Sequence, residues 1–224
     1  MRISVITPAF NAARTIEETI ASVLGQERPP DEILLVDDGS TDDTARRAAR
    51  LSPLVRVLSQ ANLGPPAAVN HGIREATGTH LAFIDADDLW PADKLARQDA
   101  AFAEDPTLAG VFGLMESFAC PSATAQERRQ WHIPSGAQPG WLLGTLLVQR
   151  PVFDAIGLFD ESFRIGAAID WIARLRERDL RLRMLDAVLL RRRVHAGSLS
   201  QRSDQRDKGY LKLIKARLQE RRNK

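Results

Sequence analysis

The sequence predicts a doubly wound α/β fold, with a mostly parallel sheet and helices on both of its faces. Short runs of apolar, often β-branched residues alternate along the first half with segments whose apolar residues recur at helical spacing. The predicted strands are apolar throughout, which is typical of a parallel sheet that is covered on both faces. We find no internal repeat and no linker, so we predict one domain over residues 1–224.

The elements of the first half follow in order. Residues 3–7 predict a strand that leads through Pro8 into a loop, and Ile16, Ile20 and Val23 predict an amphipathic helix. A second strand at 33–36 runs into the sequence Asp37-Asp38-Gly39-Ser40. Ser40, with Asp43 three positions later, predicts the N-cap of a helix over 41–51.

Two further strands complete this half, at 55–58 and 81–84, with a helix over 66–76 between them. Polar residues follow three of the four strands, and they are Thr7-Pro8, Asp37-Asp38 and Asp85 to Asp88. Open α/β sheets bind ligands beyond the carboxyl ends of their strands, so these residues predict one ligand-binding rim.

The second half is less regular. We predict a strand at 110–118, a polar loop at 121–139, an apolar stretch at 141–148, a helix near 168–178 and a strand around 181–194, before a terminal basic helix. The domain therefore divides into a ligand-binding half at 1–95, a second half at 96–203, and a basic C-terminal helix at 204–224.

Composition excludes some classes of protein and partner. The 31 basic and 29 acidic residues leave a net charge of +2, so bulk charge indicates no partner, and we expect no nucleic acid. The single cysteine, Cys120, excludes an intrachain disulfide and fits a reducing compartment. Because the N-terminus lacks signal-peptide character and no run reaches about 20 apolar residues, we expect a cytoplasmic protein that is peripheral to the membrane at most.

The acidic cluster Asp85-Ala86-Asp87-Asp88 is the clearest candidate for a functional site. Three carboxylates so close together raise one another's pKa unless a cation neutralises them. Oxygen ligands favour a hard ion such as Mn²⁺ or Mg²⁺, and Mg²⁺ commonly binds carboxylates together with substrate phosphates. The alternative is that Asp87 or Asp88 simply caps a helix that begins near Pro91.

Three blocks in order carry a resemblance to a known family. They are Val5-Ile6-Thr7-Pro8-Ala9-Phe10-Asn11, Val36-Asp37-Asp38-Gly39-Ser40 and Asp85-Ala86-Asp87-Asp88. So spaced, the blocks resemble the signature of family 2 glycosyltransferases, which have the Rossmann-like GT-A fold. Asn62-x-Gly64 and Asn70-x-Gly72 are also similar to the family pattern, and the resemblance is weaker beyond residue 95.

The resemblance implies roles for individual residues of the donor site. Pro8 and Asp38 would hold the nucleoside of a nucleotide-diphosphate sugar donor, although Asp38 could instead form a turn or a helix cap. Asp87 would contact the ribose or the metal, and Asp88 would coordinate Mn²⁺ or Mg²⁺ through the diphosphate. Asp85 would orient neighbouring groups.

The resemblance also implies an inverting transfer, in which a base takes the proton of the acceptor hydroxyl. Asp170, followed by Trp171, matches the catalytic aspartate, but without the resemblance it is an ordinary charge at a helix N-terminus. His195 matches a histidine that some relatives use as a metal or diphosphate ligand, although a lone histidine is commonly a surface or packing residue. Two departures, Val69 and Ile169, stand where relatives often carry arginine and glutamate.

We therefore predict a metal-dependent inverting glycosyltransferase, with a non-catalytic nucleotide-sugar-binding or partner-binding domain as the alternative. Its acceptor would be a saccharide, a lipid-linked molecule or another hydroxyl compound, near Trp131, Asp160 and Glu161. The apolar face of the terminal helix, with basic residues around it, suggests membrane association or a homodimer, and packing on the domain explains the same face.

Overall fold

The computed structural model describes residues 1–131, 133–163 and 165–196. The basic helix predicted for 204–224 lies outside the described residues, and so do its membrane and dimer hypotheses. Within the described part no helix is long and apolar enough to cross a membrane.

The elements alternate between strands and helices along the chain. The strands are β1 (Ile3–Ala9), β2 (Glu32–Asp37), β3 (Val55–Ser59), β4 (His80–Phe83), β5 (Gly110–Ala119), β6 (Gln138–Gly140), β7 (Leu147–Gln149) and β8 (Leu182–Val194). The helices are α1 (Ile16–Leu24), α2 (Thr44–Ala49), α3 (Pro65–Glu75), α4 (Lys94–Glu104), α5 (Ala125–Gln130), α6 (Pro151–Ile156) and α7 (Ala167–Arg176). A 3₁₀ turn lies at Leu143–Thr145.

These strands form one mixed sheet in the order β3-β2-β1-β4-β7-β5-β6, and β8 also pairs with β5. The pairs β1–β2, β1–β4, β2–β3 and β5–β8 are parallel. The strands β6 and β7 run antiparallel to their neighbours. The mostly parallel α/β prediction is confirmed, and the central position of β1 brings the loops after β2 and β4 to either side of its own.

Alternation along the strands divides the core between the two faces of the sheet. On one face Ile6, Leu34 and Val36 pack with residues of α3, α6 and α7. On the other face Val5 and Ile33 pack with residues of α1, α2 and α4. Burying one such aliphatic side chain contributes about 1.5–3 kcal/mol, so the two apolar layers hold the rim at the strand ends in place.

Two local predictions were wrong. Ser40 does not cap a helix: α2 begins at Thr44 with Asp43 at its N-cap position, and the Ser40 N–H donates to Asp37 Oδ1 at 3.2 Å within a tight turn. The stretch 121–139 is not all loop, because α5 and the first residues of β6 lie there. Thr124 and Glu127 form a reciprocal capping box at the start of α5, and this pattern was readable in the sequence.

Candidate functional site

The predicted rim forms where β1, β2 and β4 end side by side. The Asp38 N–H donates to the carbonyl of Ala9 at 2.8 Å, joining the loops after β1 and β2. Asn11, which has a positive φ of 51°, accepts the N–H of Thr41 at 2.8 Å and donates its own N–H to Ser40 Oγ at 2.9 Å. The loops after the first two strands are therefore one hydrogen-bonded unit.

Asp38 is buried at the centre of this unit. Its Oδ1 accepts from Gln60 Nε2 at 2.8 Å and from the Leu63 N–H at 2.9 Å, and its Oδ2 accepts from the Gly64 N–H at 2.9 Å. A carboxylate offers about four lone-pair sites, so these three bonds leave room for one more donor. Asp38 thus holds the loop before α3, and its carboxylate has one acceptor position beyond these three bonds.

Two exposed apolar side chains flank Asp38. Phe10, which comes directly after Ala9, is 48% exposed. Leu63, which lies in the loop that Asp38 holds, is 57% exposed. Pro8, predicted to contact the nucleoside, is half-buried in the same strand end and pairs in register with Val36. Exposed apolar residues beside a hydrogen-bond acceptor suit the flat face and polar edge of a nucleobase.

The acidic cluster forms the loop after β4 and is bound to the end of β8. Asp88 is buried, and its Oδ1 accepts the Arg193 N–H at 2.8 Å. His195 Nε2 lies 2.8 Å from Asp87 Oδ2. The structure therefore brings His195 next to Asp87 and Asp88, more than 100 positions earlier in the chain. These are the three residues that were predicted as metal ligands.

Crowding and mutual repulsion raise the pKa values of Asp85 and Asp88. Desolvation, followed by the charges of Asp87 and Asp85, raises the pKa of Asp88 well above its usual range. Asp85 is itself exposed, yet protein atoms crowd around it, and this desolvation together with Asp87 raises its pKa to about 6. The Arg192 guanidinium opposes both shifts, and the net effect is a concentration of negative charge that a cation would relieve.

The donor set suits a hard cation that also binds substrate. Among the described residues, no three His, Cys, Asp or Glu side chains lie close enough to hold a metal ion by themselves. Mg²⁺ usually binds through one or two carboxylates and takes further oxygens from substrate phosphates. Asp87 and Asp88 fit that mode. Asp87 also raises the pKa of His195, because its carboxylate accepts a hydrogen bond from the imidazole.

Arg193 is part of the framework of this loop. Its side chain is 4% exposed, its Nε donates to the Asp87 carbonyl at 2.7 Å, and its Nη2 contacts Glu18 Oε2 at 2.5 Å. The guanidinium carbons of Arg191 and Arg193 both lie over the ring of Phe118, at 5.1 and 4.9 Å from its centroid. Successive side chains of a strand point to opposite faces, so Arg192 lies on the face opposite to these two and the three consecutive arginines do not all face one way.

Asp170, the predicted base, lies in the first turn of α7. It is 7% exposed, and its Oδ2 accepts from Arg174 Nε at 2.9 Å. This i,i+4 ion pair supports the alternative interpretation, a structural charge near the helix N-terminus. Ile169, the departure beside it, is 42% exposed. The neighbouring Trp171 is fully buried, stacked against two phenylalanine rings in the core.

The three predicted acceptor residues do not all lie together. The carboxylate of Glu161 accepts from Asn70 Nδ2 at 2.8 Å, and Asp160 is exposed and accepts the Ser162 N–H at 2.8 Å. Trp131 ends α5, where its N–H donates to the Glu127 carbonyl. Asp160 and Glu161 are therefore neighbours on one turn, whereas Trp131 belongs to a different segment.

Two residues with several contacts around the site had no assigned role in the sequence. Asn70 is 1% exposed and bonds the backbone of Phe159 through both its oxygen and its nitrogen. Arg174 binds Asp170 and two backbone carbonyls. The only sequence signals were the pattern Asn70-x-Gly72 and the i,i+4 spacing of Asp170 and Arg174, and neither specifies a partner.

Comparison with known proteins places the chain in a family. The family model described as Glycosyl transferase family 2 matches residues 4–157. This match spans more than half of the chain and includes Asp38 and the acidic cluster. It ends before α7, so Asp170 lies outside the matched residues.

Curated relatives resemble mainly the first half of the chain. The putative teichuronic acid biosynthesis glycosyltransferase TuaG of Bacillus subtilis is 40% identical over 100 residues, which are 43% of this chain and 40% of that protein. The UDP-Glc:alpha-D-GlcNAc-diphosphoundecaprenol beta-1,3-glucosyltransferase WfgD of Escherichia coli is 36% identical over 98 residues, or 43% of this chain and 39% of that protein. The matches span less than half the length of these relatives.

Solved structures resemble a larger part of the chain. S. aureus TarS residues 1–349 in complex with UDP has a TM-score of 0.68 at 20% identity, covering 87% of this chain and 61% of that one. The complex of the same protein with UDP-GlcNAc has a TM-score of 0.69 at 21% identity, covering 88% and 60%. This likeness confirms the predicted GT-A fold.

Proposed function

The chain belongs to glycosyl transferase family 2, and from this premise we propose that it is a metal-dependent inverting glycosyltransferase. It would move a sugar from a nucleotide-diphosphate sugar to a hydroxyl group. The observation that carries this proposal is the convergence of the acidic loop, the end of β8 and the Asp38 loop on one edge of the sheet. No single block of sequence requires that arrangement.

The donor would lie across the ends of β1, β2 and β4. Asp38 would accept an N–H from the base with its remaining lone pair, and Phe10, Leu63 and Pro8 would contact the base and ribose. A uracil base is supported by the UDP and UDP-GlcNAc complexes of TarS and by the UDP-glucose in the name of WfgD. The diphosphate would then reach Asp87 and Asp88.

The same loop would hold Mn²⁺ or Mg²⁺ through Asp87 and Asp88, with His195 beside them. A divalent cation bound there supplies Lewis-acid stabilisation of charge on the leaving diphosphate. The chain itself contributes orientation: the Arg193 N–H fixes Asp88 Oδ1, and His195 fixes Asp87 Oδ2. Ligands held by such outer contacts keep their geometry when substrate binds.

Asp170 is our proposed base for the acceptor hydroxyl, and its ion pair with Arg174 would keep its carboxylate oriented. The acceptor would approach near Asp160 and Glu161, with Trp131 as a further contact. A saccharide or a lipid-linked sugar as acceptor is consistent with the names of TuaG and WfgD. Such acceptors fit action in the cytoplasm at a membrane surface.

A second function is favoured by specific observations. The carboxylate of Asp170 is committed to Arg174, and Ile169 supplies no second carboxylate beside it. A domain that binds a nucleotide sugar without turning it over would retain the rim and tolerate both features. Turnover, rather than binding, separates the two functions.

The test combines donor binding with donor turnover. The chain would be screened against UDP-, GDP- and dTDP-sugars by thermal shift with Mn²⁺ and with EDTA, because a bound ligand raises the apparent stability by mass action. Release of nucleoside diphosphate from any donor that binds would then be followed in the wild type and in Asp170→Asn. The exposed Asp186→Asn on β8 is the matched control.

We expect a Mn²⁺-dependent shift with one class of donor, and turnover that Asp170→Asn abolishes while binding persists. Absence of any shift across the panel would contradict the proposed function. Binding without turnover in the wild type supports the non-catalytic domain. Equal turnover in Asp170→Asn removes Asp170 as the base and leaves it the structural role.

A further inference from the structure

The connection between α6 and α7 is held by side chains rather than by secondary structure. We name residues 156–161 the bridge segment; it begins with Ile156, the last residue of α6, continues through Gly157, whose φ is 81°, and carries Asp160 and Glu161. Backbone polar groups away from water need partners, and carbonyls at or beyond the end of a helix must find them elsewhere. Here they come from two helices.

Four consecutive carbonyls of the bridge segment accept hydrogen bonds from side chains. Arg174 donates to Ile156 and, at 2.8 Å, to Leu158. Trp171 Nε1 donates to Gly157 at 2.9 Å, and Asn70 Nδ2 donates to Phe159 at 2.9 Å. Three of these bonds come from α7, which carries Asp170, and the fourth comes from α3.

Asn70 is the contact from the donor half of the molecule. Its Oδ1 accepts the Phe159 N–H at 3.0 Å, so it binds both backbone groups of one residue, and its Nδ2 also donates to Glu161 Oε1 at 2.8 Å. The helix that carries Asn70 begins beside Gly64, whose N–H is bound by Asp38. One short helix therefore connects the proposed nucleotide contact with the bridge segment.

We infer that Asn70 is a positioning residue, which sets Asp160, Glu161 and the start of α7 relative to the nucleotide-binding loops. This inference rests on the proposed function for its catalytic consequence. Its physical basis is independent of that function, because replacing a buried amide that makes three hydrogen bonds with an apolar group leaves backbone groups unsatisfied. A displacement of about 1 Å in such a site can cost about 100-fold in rate.

The test depends on which group donates and which accepts in the hydrogen bonds of Asn70. In Asn70→Asp the carboxylate still accepts the Phe159 N–H, but it places negative charge against the Phe159 carbonyl and Glu161. In the double variant Asn70→Asp with Glu161→Gln, the new amide can donate to the new carboxylate and restore one bond with donor and acceptor exchanged. Arg74→Gln is the control, since exposed Arg74 lies 3.6 Å from Glu161 and contacts no bridge carbonyl.

We expect Asn70→Asp to raise hydrogen–deuterium exchange in peptides spanning 156–163 and to leave exchange in α1 unchanged. Release of UDP from UDP-N-acetylglucosamine should fall by about 10- to 100-fold while the Kd of UDP with Mn²⁺ changes little. The double variant should recover part of both losses, and Arg74→Gln should match the wild type.

The inference would be overturned if peptides spanning 156–163 exchanged at the same rate in Asn70→Asp as in the wild type. It would also be overturned if the double variant recovered neither the exchange protection nor the rate of UDP release. Failure of the wild type to release UDP counts against the proposed function alone, because the exchange measurement needs no turnover. If Asn70→Asp does not fold, Arg174→Lys tests the opposite end of the segment: one ammonium cannot hold Asp170 and two carbonyls as the guanidinium does. Unchanged exchange there would also contradict the inference.

Discussion

Lys94 offers a prediction whose magnitude follows from its burial. Its side chain is fully buried in α4, Nζ donates to Gln98 Oε1 at 2.7 Å, and Nζ also lies 4.1 Å from the centroid of the Trp90 ring. Gln98 in turn donates to the carbonyls of Val111 and Thr145. This polar group links the end of the acidic loop to β5 and the 3₁₀ turn.

Burial lowers the pKa of Lys94 well below its ordinary value. In the unfolded chain the amine protonates below about pH 10.4, whereas in the folded chain it stays neutral until its lower pKa is reached. The unfolded state therefore binds the extra proton in this window, and the free energy of unfolding falls as the pH falls. The slope is about 1.4 kcal/mol per pH unit.

Replacing Lys94 with methionine keeps the chain length and removes the titration. Loss of the bond to Gln98 costs about 1–3 kcal/mol, and this cost does not depend on pH. Relative to the wild type, Lys94→Met should therefore gain stability as the pH is lowered below about 10, by about 1.4 kcal/mol per pH unit while the folded amine stays neutral. The gain stops at the pH at which the folded amine itself becomes protonated.

The assay is guanidinium chloride unfolding of both chains at intervals between pH 7 and pH 10. Comparing the two chains at each pH cancels the titration of other groups. Arg97→Met on the exposed side of α4 is the control, because its guanidinium stays charged throughout and should give a constant difference. A difference for Lys94→Met that is equally constant would show that Lys94 remains protonated in the fold, and would refute the reasoning.

Two further predictions concern the packing of α3 and the rim. Gly72→Ala would place its Cβ 2.5 Å from Ile6 Cγ2, so we expect α3 to shift and the free energy of unfolding to fall by about 1–3 kcal/mol. Urea unfolding measures this loss, and unchanged stability would contradict the close packing. Asp38→Asn presents an amide where the Gly64 N–H now donates, so about 1–3 kcal/mol of stability and much of the UDP affinity should be lost, measured by unfolding and calorimetry. Wild-type affinity in Asp38→Asn, with Asp186→Asn as control, would exclude the base contact.

The donor half was the most predictable part of the protein. Its apolar strands, its amphipathic helices and the polar residues at the strand ends are local patterns, so the elements and the shared edge at which their polar loops lie could be inferred. The capping box at Thr124 was equally local and could have been read, whereas the antiparallel strands β6 and β7 are three residues each. Such short segments are too brief to show a periodicity.

The acidic cluster shows which features the sequence predicts and which appear only in the tertiary structure. The sequence by itself determined that three carboxylates follow a buried strand and that a cation would relieve their repulsion. Only the tertiary structure decided that Arg193 and His195, more than 100 positions later, hold Asp88 and Asp87. Pairing between β5 and β8 brings those residues there.

The contacts of Asp170 and Asn70 could be learned only from the tertiary structure. In the sequence, an aspartate at the start of a helix could equally be a catalytic base or a structural charge, and only the fold shows which side chains surround it. Nothing in the sequence indicates that Asn70 binds Phe159, or that Arg174 binds both Asp170 and the bridge segment. The propensity of a segment to form a helix or a strand depends on its own residues and can be predicted from the sequence. A hydrogen bond between distant side chains forms only after the packing of the two core layers has brought them together.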